Sequence, residues 1–132
     1  MAKVERFEDL DCWKAGRELV NLVFDLCGKG NLVKDFDTKS QIKRAAVSTM
    51  NNVAEGFGRY SAVEFVRYLN IAQSSALEVR SMAYILLDRK YISQAEFEAL
   101  DAKTNKVVSL NNGFIRYLIT KDKNQKTVIK NT

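Results

Sequence analysis

A chain of 132 residues with 46% hydrophobic residues, six glycines and no proline is long enough to bury one core without a metal or disulfide, and it favours long helices over strands and turns. It contains no histidine, which removes any imidazole base, any Ser-His or Cys-His nucleophile pair and the Glu-x-x-His ligands of di-iron bundles, so most hydrolase and metal chemistries are disfavoured and no cofactor is expected. The net charge of +5 divides into +3 for residues 121–132, where four lysines stand against Asp122, and +2 for the nearly balanced residues 1–120.

The first helix is expected over residues 9–29, opened by Asp9 or Asp11 and carrying Leu10, Trp13, Gly16, Val20, Val23 and Cys27 on one face before Gly28 and Gly30 end it. Cys12 and Cys27 share this helix at roughly 22 Å, too far for a mutual disulfide, and are expected as reduced thiols. Thr38-Lys39-Ser40-Gln41 reads as a capping box that starts a second helix over 39–57. Ile42, Ala45, Ala46, Thr49, Val53 and Ala54 recur on it at three- and four-residue steps, with Asn52, Glu55 and Arg59 beside them. Gly56 and Gly58 are read as the source of the positive φ angles that the following turn needs.

Ser61-Ala62-Val63-Glu64 is a second capping box and starts a third helix over 62–89. One stripe, from Phe65 through Leu69, Ala72, Ala76, Val79 and Ala83 to Leu86, suffices to face the other helices. Val66, Leu77 and Tyr84 on one flank, and Ile71 and Met82 on the other, are surplus to it. Ser93-Gln94-Ala95-Glu96 starts a fourth helix over 94–120, with Phe97, Leu100, Thr104, Val107, Val108, Asn111, Phe114, Ile115, Leu118 and Ile119. From Lys121 the periodicity fades, and 121–132 is expected to be a basic, flexible tail. The fold class is therefore all-α, a single-domain antiparallel up-down-up-down four-helix bundle. No apolar run reaches the roughly 20 residues of a membrane span, and Met1 to Arg6 lacks the apolar centre of a signal peptide, so a cytoplasmic protein without membrane contact is expected.

The charged residues read first as ordinary solvated surface. The other reading makes Lys43, Arg59, Arg67, Arg89, Lys90, Lys121, Lys123 and Lys126 candidates for contact with nucleic-acid phosphates. Aromatic residues lie mostly on core stripes, so no stacking platform for single strands is evident. A turn centred between Arg59 and Tyr60 would set Ser75 opposite Arg44 and Glu78 opposite Gln41, with Arg44 in reach of Glu78 and Glu55 between Arg59 and Arg67. Arg44, Asn52, Glu55, Ser75 and Glu78 are thus read as a polar network that fixes helix register. Glu55 and Glu78 as metal ligands or as an acid and base would need a further pocket group.

Phe7-Glu8-Asp9-Leu10-Asp11-Cys12-Trp13, Gln41-Ile42-Lys43-Arg44-Ala45, Asn52-Val53-Ala54-Glu55-Gly56-Phe57-Gly58-Arg59, Ser61 with Glu64-Phe65, and Ser75-Ala76-Leu77-Glu78 are the motifs within a match that covers most of the chain. On these residues the sequence resembles the four-helix bundle proteins encoded within intervening sequences of bacterial large-subunit ribosomal RNA genes. It departs from their pattern at Val53, where isoleucine is usual, and at Ser74, where a glycine or smaller residue is usual. That family is in turn similar to the accessory variability protein of diversity-generating retroelements, a basic pentameric barrel that binds a reverse transcriptase and nucleic acid. The resemblance implies a homo-oligomer, a pentamer in particular, with no recognised active site and an association with RNA.

The leading expectation is a non-enzymatic bundle that self-associates and offers a basic surface to RNA or DNA. The alternative is a protein-interaction adaptor, for example an accessory subunit of a reverse transcriptase or another nucleic-acid enzyme, and an enzyme comes third. The surplus apolar residues of the third helix mark the expected association surface, and one head-to-tail contact repeated about an axis closes a ring.

Overall fold

The computed structural model describes residues 4–130, with side chains for 4–124. Its four helices are α1 (Asp11–Cys27), α2 (Phe36–Phe57), α3 (Ala62–Asp88) and α4 (Gln94–Lys130); single 3-10 turns at Phe7–Asp9 and Gly30–Lys34 precede α1 and α2. There is no strand among the described residues, and the chain is all-α. No helix is long and apolar enough to cross a membrane among them.

Local chemistry accounts for most of the helix starts. Ser93 and Glu96 form the complete reciprocal box, the Glu96 amide donating to Ser93 Oγ at 3.1 Å and the Ser93 amide to Glu96 Oε1 at 2.8 Å. At α3 only half of the box closes: Ser61 Oγ accepts from the Glu64 amide at 3.3 Å, while the Glu64 carboxylate turns to Arg67 at 2.9 Å. The capping box expected at Thr38 is not the one that forms. Asp35 caps α2 instead, accepting the Thr38 amide at 3.1 Å and the Thr38 hydroxyl at 2.8 Å, so the helix begins three residues earlier than the pattern indicated. A carboxylate is the stronger acceptor for the orphan amides of a helix start. The Tyr91 hydroxyl reaches across from the α3–α4 connection to donate to the same carboxylate at 2.9 Å. These donors, the Thr38 hydroxyl first, hold the Asp35 pKa below its ordinary value.

Contacts between consecutive helices fix their directions. Gly16 of α1 meets Met50 of α2, and Phe24 meets Lys43. Ser75 of α3 donates to Ser48 of α2 at 2.7 Å. Gln73, Arg80 and Tyr84 of α3 touch Asn112, Asp101 and Phe97 of α4 in descending order. Each of these pairs is antiparallel, and α4 closes the square by packing on α1, where Lys103 and Lys106 flank Glu18 at 3.3 and 3.2 Å. The result is the expected up-down-up-down order, with α1 and α3 at opposite corners.

The core has two lobes. The first gathers Leu19, Val23, Leu26, Ile42, Val79, Leu86, Leu100 and Val107, capped by fully buried Leu32 from the 3-10 turn before α2. The second, at the end where α1 begins and α2 finishes, gathers Leu10, Cys12, Val53, Phe65, Leu69, Ala72 and Leu118. Three buried polar residues, Thr49, Thr104 and Asn111, interrupt the apolar interior. The two hydroxyls return to the Ala46 and Asp101 carbonyls of their own helices at 2.6 and 2.8 Å, which satisfies them without a partner across the core.

Two further expectations need correction. The glycines at the end of α2 do not supply the positive φ: Gly58 has φ −72°, and Tyr60 takes the left-handed conformation at φ 56°. Gly56 is required for space instead, because a β-carbon there would lie 2.7 Å from Phe65 Cδ1 and 2.9 Å from Tyr68 Cβ. Finally, α4 continues to Lys130, ten residues beyond the boundary drawn at the fading of its apolar pattern; a helix needs no apolar stripe to continue past the bundle it belongs to.

Candidate nucleic-acid interface

On α1 the core side is made by Cys12, Ala15, Leu19, Val23 and Leu26, which leaves Arg17 and Phe24 exposed on the neighbouring face, with Trp13 and Val20 half-buried between them and the core at three- and four-residue steps. Gly16 lets α2 approach beside this face, since a β-carbon there would sit 3.1 Å from Met50 Cα. α2 then adds Phe36, Lys39 and Lys43. The rings and cations pair along the seam: the Arg17 guanidinium lies 5.7 Å from the centre of the Trp13 ring, Lys43 Nζ 4.8 Å from Phe24 and Lys39 Nζ 4.5 Å from Phe36. Phe36 is 74% exposed and Phe24 45%. Arg17, Lys39 and Lys43 have no carboxylate within ion-pair distance among the described residues, in contrast to Lys29, Lys103 and Lys106, which are paired. An exposed cation–ring contact is worth about 0.5–1 kcal/mol, little enough for each cation to turn to a phosphate without loss of the fold.

A second concentration of charge lies at the α2–α3 turn. Arg59 Nη2 donates to the Tyr68 hydroxyl at 2.6 Å, and the Arg59 and Arg67 guanidiniums lie 5.1 and 4.7 Å from the centre of the Tyr68 ring. Tyr68 is buried and serves as a fixed post for both arginines. The Glu64 carboxylate beside Arg67 raises the Arg67 pKa further.

The remaining candidates are scattered over the two ends. Arg89 and Lys90 follow α3 at the end where α2 begins, and the Arg89 charge acts on Asp35. Lys121 and Lys123 lie at the opposite end, where Lys123 lines a cleft with Val63, Val66 and Leu118. Lys126 lies outside the residues whose side chains are described. The eight candidates therefore do not make one face. Lys43 lies on the ring-and-cation seam, Arg59 and Arg67 share the turn, and the others stand apart.

The polar network takes a different form from the expected one. Asn52 Nδ2 donates to the Ser48 carbonyl and hydroxyl at 2.9 and 2.8 Å, and Ser75 joins through the same hydroxyl. Arg44, Glu55 and Glu78 are exposed, with no hydrogen bond or ion pair to any of them among the described residues. The cause is register. The connection Gly58–Ser61 is centred between Arg59 and Tyr60 as expected, but α3 is displaced along α2 by about one helical turn, so Ser75 meets Ser48 rather than Arg44. Glu55 and Glu78 then lie about 15 Å apart along the bundle, from ten residues at the helical rise.

Among the described residues, one cleft of about 500 Å³ is lined by Leu10, Cys12, Leu110, Phe114 and Tyr117 and another by Asn31, Lys34, Asp35, Phe36 and Tyr91, and neither contains Glu55 or Glu78. No group of three or more Cys, Asp or Glu side chains is placed to hold a metal ion among the described residues. Both cysteines are free and buried, and burial pushes the Cys12 thiol up to about 11.

Sequence reasoning placed Trp13 on the core face, where it packs half-buried, and did not single out Arg17, Phe24, Phe36 and Lys39 as surface features, since it read the aromatics as lying mostly on core stripes. The signal was present in the i, i+4 spacing of Trp13 and Arg17 and the i, i+3 spacing of Phe36 and Lys39.

No curated protein matches the chain in sequence. Among solved structures, a protein of unknown function from the S23 ribosomal protein family of Bacteroides thetaiotaomicron is similar in fold, with a TM-score of 0.72 at 24% identity over 80% of this chain and 95% of that one. A family model described as 23S rRNA-intervening sequence protein matches residues 8–113. That span runs from the 3-10 turn before α1 into the second half of α4 and takes in all four packed helices, so the chain belongs to the 23S rRNA-intervening sequence protein family.

Proposed function

We propose that this protein is a non-enzymatic, self-associating bundle that binds RNA along the outer seam of α1 and α2. The observation that carries the reading is the run of three ring–cation pairs, Trp13 with Arg17, Phe24 with Lys43 and Phe36 with Lys39, whose cations have no carboxylate partner among the described residues. Rings supply stacking surfaces for unpaired bases, worth about 1–3 kcal/mol per base, and the cations neutralise phosphates. The family description connects its members with 23S rRNA intervening sequences, which makes a structured RNA the first ligand to test. A cytoplasmic location goes with this reading.

The test is fluorescence anisotropy with a labelled RNA stem-loop at rising salt. Three neutralised phosphates give a slope of log affinity against log salt of about −2 for single-stranded contacts. The double change Lys39→Glu with Lys43→Glu is expected to lower affinity at least about tenfold with helix content unchanged. Equal binding by that variant contradicts the reading.

Self-association is assigned to the corner of α3. Ile71, Leu77, Tyr84 and Ile85 there are 40–51% exposed, whereas Met82 is buried and Val66 half-buried. Four large apolar side chains on one helix form a patch that a second copy can cover, and a head-to-tail contact closes a ring, with five subunits as the family resemblance implies. Light scattering decides it: a mass near 15.0 kDa at micromolar concentration rules out association through this face. The second reading makes the same corner the docking site of another protein, such as a reverse transcriptase or other nucleic-acid enzyme. Co-purification of one defined protein without RNA favours it.

A further inference from the structure

Tyr60 is held at φ 56°, a backbone region that glycine enters freely and a residue with a β-carbon enters only at a cost. Lys90 takes the same conformation at φ 60° in the turn after α3, so the left-handed residue belongs to the way both helices end, and what sets Tyr60 apart is its ring. The side chain is 92% exposed, with no hydrogen bond or ring contact to it among the described residues. The side chain presented here is an aromatic ring, and its neighbours are cations: Arg59 adjoins it, and Tyr68 gathers the Arg59 and Arg67 guanidiniums beneath the same turn. Glu64 pairs with Arg67 at 2.9 Å, while Arg59 has no carboxylate partner among the described residues.

We propose that Tyr60 is a stacking post for one unpaired base of a bound RNA, with Arg59 on the adjoining phosphate. An exposed ring accepts the face of any base, and a guanidinium already oriented by the Tyr68 hydroxyl loses little freedom on meeting a phosphate. The turn lies at the end of the bundle where α1 begins, the end that also holds Trp13. This inference rests on the RNA reading above and adds a defined contact to it.

Stability and binding are expected to move in opposite directions when the ring is removed. Tyr60→Gly relieves the backbone and is expected to raise the melting temperature by a few degrees, while anisotropy with a stem-loop carrying an unpaired loop shows an affinity loss of about tenfold. Tyr60→Trp keeps the affinity and Tyr60→Leu loses it as glycine does. A 5-bromouridine in the loop crosslinks on irradiation to the tryptic peptide that contains Tyr60. A Tyr60→Gly protein that binds like the unaltered one overturns the proposal, and if Lys39→Glu with Lys43→Glu still abolishes binding, the RNA reading stands without it. A Tyr60→Gly protein less stable than the unaltered one also overturns it, because the ring would then be held for the fold. Failure of the unaltered protein to bind RNA at all removes both.

Discussion

Replacing Gly56 by alanine sets two effects of known size against each other. Alanine is better than glycine inside a helix by about 0.8–1 kcal/mol, so a surface glycine at this position would gain stability on substitution. Gly56 is buried, however, and its new β-carbon would arrive 2.7 Å from Phe65 Cδ1, 2.9 Å from Tyr68 Cβ and 3.3 Å from Phe65 Cε1. Neither neighbour can retreat cheaply. Phe65 is 9% exposed and stands edge-on to Phe57 and Phe114 at 6.3 and 5.2 Å, while Tyr68 is tied to Arg59 through its hydroxyl. Overpacking of this kind costs about 1–3 kcal/mol. The steric cost outweighs the gain, for a net loss of up to about 2 kcal/mol and a melting temperature lower by up to about 7 °C in a chain of this size. Urea unfolding followed by far-ultraviolet circular dichroism at fixed protein concentration measures it. Gly16→Ala, whose nearest contact is Met50 Cα at 3.1 Å, is expected to cost less. A Gly56→Ala protein more stable than the unaltered one would refute the reasoning, since it would mean that α2 and α3 do not approach closely at this glycine.

Asp35, Glu18 and Glu96 all have depressed carboxyl pKa values, caused respectively by the Thr38 hydroxyl, by Lys106 and by Lys29. Their contribution to stability is therefore complete above the ordinary values of 3.8 and 4.5 and disappears as pH falls through the lower folded values; a melting-temperature series into acid is expected to drop there, less steeply in Asp35→Asn. Arg44→Ala and Glu78→Ala are each expected to cost no more than about 0.5 kcal/mol and to add in a double-mutant cycle, because the two residues do not meet; a coupling above that size would restore the pairing. Cys12, buried and with its pKa raised to about 11, is expected to resist iodoacetamide at neutral pH until urea unfolds the chain, and alkylation of the native protein as fast as of the unfolded one contradicts its burial.

The helices were legible because their signals are local. Period-three-and-four stripes and the Ser61 and Ser93 caps each depend on residues within one turn of one another, and both caps form. The start of α2 was misplaced because Asp35 and Thr38 each stand three residues before an amide they can cap, those of Thr38 and Gln41, and only the fold brings Tyr91 to the first. The register of α2 on α3 was missed by one turn although the turn is centred where expected, because it depends on how far one helix slides along the other, which the close approach at Gly56 sets and periodicity does not report. That single slip dissolves the Arg44–Glu78 pair and creates the Ser48–Ser75 one. The α1–α2 seam escaped for another reason: Phe24 lies one residue from the core stripe at Val23, and only the position of the neighbouring helices decides which side of α1 is covered.

Lysine footprinting with an amine-reactive acylating reagent, read by mass spectrometry with and without a bound RNA stem-loop, tests the proposed interface most directly. Lys39 and Lys43 on the α1–α2 seam are expected to be shielded by RNA, while Lys103 and Lys106, paired with Glu18 on the α1–α4 side, keep their reactivity. Unchanged reactivity of Lys39 and Lys43 in the RNA complex, or equal protection of all four lysines, would contradict an interface on that seam.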